Sequence, residues 1–258
     1  MSEPEPPFED QAVENEPVRE RPTRRRWGGR AAKVVRPILV DRVTRDHQQS
    51  DAEFKRRRIV VAITLVVGAT LLGLSFSTEQ GEQAFYPLTI GLAATWVIGS
   101  LVSGPLHLGH IKFGGALRRP IISPILVGLL LAGIFAGGGL VFRMVPFLSR
   151  LAEDVIGYAR YGILPVVLVI TIMNGIAEEL FFRGALFAGI GVRHPVVIST
   201  VLYTLVTVGS GNVVLVFAAA LLGTVVALER RASGGVLGPI LTHITWSTTM
   251  LFVLPIIF

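Results

Sequence analysis

Long apolar runs dominate this chain and limit what it can fold into. An α-helix crosses the ~30 Å hydrocarbon core of a bilayer with about 20 apolar residues, and no water is available there for free backbone polar groups. The runs lie at about 59–77, 84–104, 121–142, 161–190, 195–208, 211–228 and 236–257. We therefore predict an all-α fold, a polytopic membrane helix bundle of about seven transmembrane helices.

The charged residues separate a tail from this membrane body. Residues 1–58 contain 14 of the 24 Lys and Arg residues and 11 of the 18 Asp and Glu residues. Blocks of like charge interspersed with proline bury too little apolar surface to fold alone. We expect residues 1–58 to be a disordered, charged cytoplasmic tail and residues 59–258 to be the transmembrane helical domain.

The basic part of the tail, Arg19 to Arg58, is typical of a segment that sets topology and contacts anionic lipid headgroups. We expect the lipid bilayer as a partner and no nucleic acid. With the amino terminus inside, the inner connections receive most basic loop residues: Lys112, Arg118, Arg119, Arg193, Arg230 and Arg231. Cytoplasmic loops are enriched in Lys and Arg, so this distribution predicts a cytoplasmic amino terminus.

The fourth apolar run contains the motif Glu-Glu-Leu-Phe-Phe-Arg, which places Glu178, Glu179 and Arg183 on one continuing helix. An ionisable side chain in the membrane costs roughly 2.5 to 3.5 kcal/mol on insertion scales, so such a cluster indicates a functional site. Glu179 and Arg183 are four residues apart and can form an ion pair. Glu178 is then left without a cation, which suits a carboxylate that takes a proton from water.

Asn174 lies one turn before Glu178 and can orient it by a hydrogen bond. The alternative interpretation of these residues is a polar clamp between helices.

His243, in Gly-Pro-Ile-Leu-Thr-His of the last run, is the second candidate for a functional residue. Counted at ~1.5 Å per residue, Glu178 and His243 both lie near the inner side, and we expect them to share one cavity.

These motifs resemble the CPBP family of intramembrane proteases, which includes the Ras-converting CAAX endoprotease and bacterial self-immunity proteins. The similarity runs from about Asn174 to Ser247, within a CPBP-like core at about 161–257. The resemblance implies that Glu178 activates the attacking water, supported by Glu179 and Arg183. It also implies that His243 stabilises the oxyanion, with Ser247 at the position where the family usually has Asn or a small polar residue.

The second family motif departs from the expected pattern. Family members generally have Phe-x-x-x-His, whereas this chain has Tyr203 to Thr207, with Thr207 in place of the His. Threonine can hold a water, but it is no base near neutral pH and no imidazole-like metal ligand. Glu178, Glu179 and one His would be a poor zinc site, so we expect no cofactor, and zinc is poorly supported. The chain has no cysteine.

We therefore predict an intramembrane endopeptidase that hydrolyses a peptide bond of a membrane-embedded peptide or protein substrate with a glutamate-activated water. Two alternatives remain open: a catalytically silent relative that acts as a membrane immunity or scaffold protein, and a small transporter with Glu178 and Glu179 as proton or cation sites. The family and the Arg-rich, cysteine-free composition suggest a bacterial plasma membrane.

Overall fold

The structure, a computed structural model, describes residues 30–43, 49–113 and 116–258. Its helices are α1 Arg30–Leu39, α2 Asp51–Phe76, α3 Phe85–Ser103, α4 Ile122–Phe142, α5 Pro146–Arg160, α6 Leu164–Glu179, the π-helical segment Leu180–Leu186, α7 Phe187–Ile190, α8 Pro195–Val208, α9 Val213–Ser233 and α10 Leu237–Ile257. One antiparallel hairpin of β1 Ile111–Phe113 and β2 Ala116–Arg118 joins α3 to α4. The predicted all-α, polytopic helix bundle is confirmed.

Six helices among the described residues are long and apolar enough to cross a membrane, and the chain is an integral membrane protein. They are α2, α3, α4, the continuous helix Leu164–Ile190, α9 and α10. The remaining predicted crossing is α8, whose 14 residues extend only ~21 Å. Its carboxyl end nevertheless reaches the far end of α2, because a Cβ at Gly73 would lie 3.4 Å from the carbonyl oxygen of Gly209.

The predicted boundary between tail and membrane domain, at residue 58, falls within helix α2. Helix α2 begins at Asp51, and its first turn is closed by a capping box. The Ser50 side chain accepts from the backbone N–H of Glu53 at 3.3 Å, and the Glu53 carboxylate accepts from Ser50 N at 2.9 Å. Such reciprocal capping starts a helix within a charged segment. Residues 1–29 and 44–48 of the predicted tail lie outside the described residues.

An aromatic core fixes the position of the π-helical segment. Trp96 of α3 stacks on Phe181 with ring centroids 4.5 Å apart and packs at 5.2 Å from Phe182. Gly68 of α2 leaves the space that the Trp96 indole occupies. Buried aromatic rings contribute large apolar areas and prefer offset or edge contacts. The residues directly after Glu179 are therefore held against α2 and α3.

Candidate active site

Three helices contribute side chains to one polar cluster inside the bundle. Glu178 and Glu179 are the last residues of α6, and Arg183 lies in the π-helical segment that follows. Tyr203 comes from α8 and His243 from α10. The cluster therefore depends on contacts between elements that are far apart in the sequence.

Glu179 lies at the centre of the cluster and is fully buried. Its Oε1 atom accepts from Arg183 Nη1 at 3.1 Å and lies 2.8 Å from His243 Nδ1. The ion pair that the four-residue spacing predicts is thus present between two side chains with 0% exposure. A buried charge pair needs additional hydrogen bonds to offset desolvation, and the imidazole supplies one.

Arg183 is held by α9 as well as by Glu179. Its Nη2 donates to the carbonyl oxygen of Gly223 at 3.1 Å, and its guanidinium lies 4.5 Å from the centre of the Tyr203 ring. A Cβ at position 223 would lie 3.1 Å from Arg183 Nη2 and 3.0 Å from Tyr203 Cδ1. A larger residue at position 223 would therefore require Tyr203 or Arg183 to shift by a few tenths of an ångström.

The backbone around Arg183 is π-helical, whereas the sequence analysis predicts one continuing α-helix. The wider turn covers Leu180–Leu186, and the Arg183 carbonyl accepts from Arg230 Nε at 2.6 Å. A π-turn leaves carbonyl groups displaced from the α-helical ladder, and such turns are frequent at functional sites. Here the Arg183 carbonyl accepts a hydrogen bond from a side chain near the end of α9.

Glu178 has a different environment from its neighbour. It is partly exposed, and its Oε2 atom accepts from the Tyr203 hydroxyl at 2.7 Å. Within the described part of the chain, no Lys, Arg or His nitrogen lies within 4.0 Å of the Glu178 carboxylate. Of the two adjacent carboxylates, Glu178 is thus the accessible one without its own cation.

The predicted hydrogen bond from Asn174 to Glu178 is not formed. Asn174 Nδ2 instead donates to the carbonyl oxygen of Ile170 at 3.0 Å, and its Oδ1 is buried without a partner. An amide one turn before a carboxylate can satisfy itself on its own helix, whereas the Tyr203 hydroxyl approaches from α8. Tyr203 takes the place that the sequence analysis gives to Asn174.

His243 packs closely against α6, and its Nδ1 lies 2.8 Å from Glu179 Oε1. The cavity expected for His243 and Glu178 stays a prediction. A Cβ at Gly175 would lie 3.5 Å from His243 Cδ2. Ser247 follows one turn later on α10, and its hydroxyl donates to the carbonyl oxygen of Ile244 at 3.4 Å. The imidazole is buried, with 6% of its surface exposed.

Thr207 lies one turn after Tyr203 on α8, and its hydroxyl donates to the Tyr203 carbonyl oxygen at 2.9 Å. This bond is internal to the helix and uses the only hydrogen of the hydroxyl. Among the residues that the structure describes, no three His, Asp or Glu side chains gather as metal ligands. The side chains present therefore do not fit a catalytic zinc site, which needs three protein ligands.

A second buried carboxylate, Glu229 near the end of α9, was not identified from the sequence. It is 2% exposed, and its Oε1 lies 2.9 Å from Thr242 Oγ1, which is also 3.0 Å from the carbonyl oxygen of Pro124. Glu229 directly precedes Arg230 and Arg231, and charged residues in such a group are typical of an exposed loop. The helical spacing of Glu229 from Leu222 and Val226 places it on the same face of α9 as these buried apolar residues, and this pattern could have identified it from the sequence.

Fold and cluster together define an integral membrane helix bundle with a buried acid–histidine site. Residues 160–249, about a third of the chain, match the family model described as Type II CAAX prenyl endopeptidase Rce1-like. The resemblance to the CPBP family is thereby confirmed over this segment, which contains every residue of the cluster. The match indicates an intramembrane protease type of function. No curated protein and no solved structure matches the chain.

Proposed function

We propose that this protein is an intramembrane endopeptidase that hydrolyses a peptide bond of a membrane-associated substrate with a water activated by Glu178. The proposal rests on the different burial and hydrogen bonding of two adjacent carboxylates. Glu179 is fully buried and engaged by Arg183 and His243, whereas Glu178 is partly exposed and has one hydrogen bond. Only Glu178 can approach a bound water.

The reaction follows from this geometry. The Glu178 carboxylate takes a proton from water as the water oxygen bonds to the carbonyl carbon of the scissile amide. The carbonyl oxygen becomes an oxyanion. The proton held by Glu178 then passes to the amide nitrogen, the C–N bond breaks, and the oxyanion collapses to a carboxylic acid.

His243 is the group proposed to stabilise the oxyanion. Its Nδ1 faces Glu179, so the opposite ring nitrogen is the one that can donate to a substrate oxygen. A protonated ring can donate from both nitrogens, one to Glu179 and one to the oxyanion. Ser247, one turn further along α10, supplies a second hydroxyl donor if it exchanges its bond to Ile244 for the oxyanion.

Tyr203 is proposed to position the base. Its hydroxyl donates to Glu178 Oε2 at 2.7 Å while its ring lies against the Arg183 guanidinium. The hydrogen bond limits rotation of the carboxylate, so that its other oxygen is presented for the water. The proposed reaction needs no metal ion, and the described side chains of the site do not gather as a set of metal ligands.

The test compares wild-type protein with Glu178→Gln, each purified in bilayers and incubated with membrane proteins from the source cell. We expect peptide cleavage by the wild type only. Glu153→Gln, a substitution of the same chemistry at an exposed position of α5, is the matched control and should cleave like the wild type. Equal cleavage by wild type and Glu178→Gln would refute the mechanism.

A catalytically silent membrane immunity or scaffold protein is the second candidate, and Thr207 favours it. Loss of one positioned acid–base group typically lowers a rate by ~10² to 10⁴, and Thr207 stands where the family pattern has His. For this candidate we expect no cleavage by any variant.

A small transporter is the third candidate. For it we expect transport into vesicles that Glu179→Gln abolishes, without peptide cleavage.

A further inference from the structure

We propose that a basic cavity at one end of the bundle binds the phosphate headgroup of an anionic lipid. The cavity has a volume of about 1490 Å³ and lies between the start of α2, the segment after α3, the α7–α8 connection and the end of α9. Neither Glu178, Glu179 nor His243 lines it. The site is therefore separate from the candidate active site and does not rest on the proposed reaction.

The charge of the cavity wall points to an anionic ligand. Five arginines of the described part of the chain line the cavity: Arg42, Arg57, Arg193, Arg230 and Arg231. Asp51 is the one acidic residue among the described residues of its wall. Guanidinium groups match phosphate oxygens in geometry as well as charge, which makes arginine the usual residue for phosphate recognition.

Arg57 is a buried cation with one guanidinium nitrogen that makes no hydrogen bond to the described residues. It is 2% exposed, and its Nη2 donates to the carbonyl oxygen of Pro105 at 3.1 Å. The Gln49 amide oxygen, in its satisfied orientation, accepts from Arg57 Nη2 and Nε at 3.0 and 3.1 Å. Nη1 has no partner among the described residues, and no described carboxylate pairs with Arg57. A buried charge in this state favours an anion beside it.

His107, which also lines the cavity, responds to the same positive potential. Its burial, followed by the proximity of Arg230 and Arg57, lowers the pKa of His107 below its usual value. Both guanidinium groups thus contribute positive potential at this part of the wall. The arginines thus act as one basic cluster.

The apolar part of the wall favours a lipid over a small soluble anion. Phe54, Leu106 and Phe187 line the cavity beside the arginines. The cavity lies where α2 begins and α9 ends, which is the level of a lipid headgroup in a bilayer. Its volume also exceeds the ~300–1,000 Å³ of typical small-molecule pockets. A headgroup with the first carbons of its chains uses both parts of the wall.

The cavity wall is in contact with the backbone of the candidate active site. Arg230 lines the cavity, and its Nε donates to the Arg183 carbonyl oxygen at 2.6 Å. Gly184, the next residue, also lines the cavity. A lipid bound here would touch the opposite side of the π-helical segment that carries Arg183.

The experiment measures lipid retained by the purified full chain, with phosphatidylglycerol and phosphatidylcholine as probes and native mass spectrometry as the readout. The wild type should retain phosphatidylglycerol in preference to phosphatidylcholine. The double variant Arg42→Gln/Arg193→Gln removes two exposed wall charges without disturbing the core. At about 1 kcal/mol per basic residue near a lipid surface, it should bind phosphatidylglycerol at least about tenfold more weakly.

Arg118→Gln/Arg150→Gln, two exposed arginines outside the wall, is the matched control and should bind like the wild type. Equal retention of both lipids, or an equal loss in the control, would overturn the proposal. Inorganic phosphate is the second arm. If phosphate alone protects the wild type from thermal unfolding as well as phosphatidylglycerol does, the site takes free anions and the lipid assignment fails.

Discussion

His243 Nδ1 and Arg183 Nη1 converge on the same oxygen of Glu179, at 2.8 and 3.1 Å. The carboxylate can only accept, so Nδ1 carries the hydrogen of this bond. In a neutral ring the opposite nitrogen is then an acceptor, and it becomes a donor only when the ring is protonated. Glu179 therefore sets both the orientation of the imidazole and the charge state in which it can stabilise an oxyanion.

Glu179→Gln should destabilise the protein far more than Glu178→Gln. Removing the charge of Glu179 leaves the fully buried Arg183 without its partner, which should cost about 3 to 5 kcal/mol of unfolding free energy. Glu178 is partly exposed and pairs with no cation, so its substitution should cost less than about 1 kcal/mol. Thermal unfolding in detergent measures both. Similar stability of the two variants would mean that Glu179 does not support the cluster.

Tyr203→Phe should lower peptide cleavage by about tenfold or more, because it removes the hydrogen bond that orients Glu178. The ring that lies against Arg183 is retained, so the unfolding free energy should fall by only ~1 kcal/mol. Steady-state cleavage kinetics and thermal unfolding separate these effects. An unchanged cleavage rate would remove Tyr203 from the positioning of the base.

Gly223→Ala should destabilise the protein and disturb the cluster. The added Cβ would lie 3.0 Å from Tyr203 Cδ1 and 3.1 Å from Arg183 Nη2, so one of them must move, at a cost of about 1 to 3 kcal/mol. Gly133→Ala on α4 is the control, since a Cβ there meets no atom within 4 Å. Thermal unfolding of both variants is the measurement, and equal unfolding temperatures would contradict the packing at Gly223.

Glu229→Gln should be tolerated, whereas Glu229→Ala should cost about 1 to 3 kcal/mol. The single hydrogen of Thr242 cannot serve both the Pro124 carbonyl and the Glu229 carboxylate. Both contacts are hydrogen bonds only if Glu229 is protonated and donates to Thr242. Glutamine retains that donor and alanine does not. Marked destabilisation by Gln, measured by thermal unfolding, would mean that Glu229 is charged.

Thr207→His should raise cleavage, because an imidazole would restore the acid–base group that the second motif of this chain lacks. The hydroxyl that it replaces bonds only within α8, so little structure is lost. Thr204→His, at a similar part-buried threonine of the same helix, is the control and should leave the rate unchanged. If Thr207→His has no effect on the rate, residue 207 does not line the site.

The spanning helices were predictable because each is encoded by its own residues. A run of about 20 apolar residues is sufficient for a bilayer helix, and the described residues form six such helices. The start of α2 at Asp51 was not apparent from hydropathy, which detects only the apolar part of a helix. The polar first turn of α2 is held by the Ser50–Glu53 capping box, which lies before the apolar run.

The ion pair between Glu179 and Arg183 was predictable for the same local reason, since residues four apart in a helix share a face. The residue that donates a hydrogen bond to Glu178 was not predictable in this way. Asn174 and Tyr203 both offer a hydrogen-bonding group, and only the packing of α8 against α6 and the π-helical segment brings the Tyr203 hydroxyl to 2.7 Å. The bond of Asn174 to Ile170 shows how a helix can satisfy its own polar residue first.

The amino-acid sequence by itself determined the membrane-spanning fold and the location of the acidic motif, because both depend on residues that are neighbours along the chain. Tertiary structure decided which carboxylate meets His243, which helix orients Glu178, and how five arginines from separate segments come to line one cavity. Those contacts join residues tens to more than a hundred positions apart, and their geometry follows from helix packing, which no local pattern encodes.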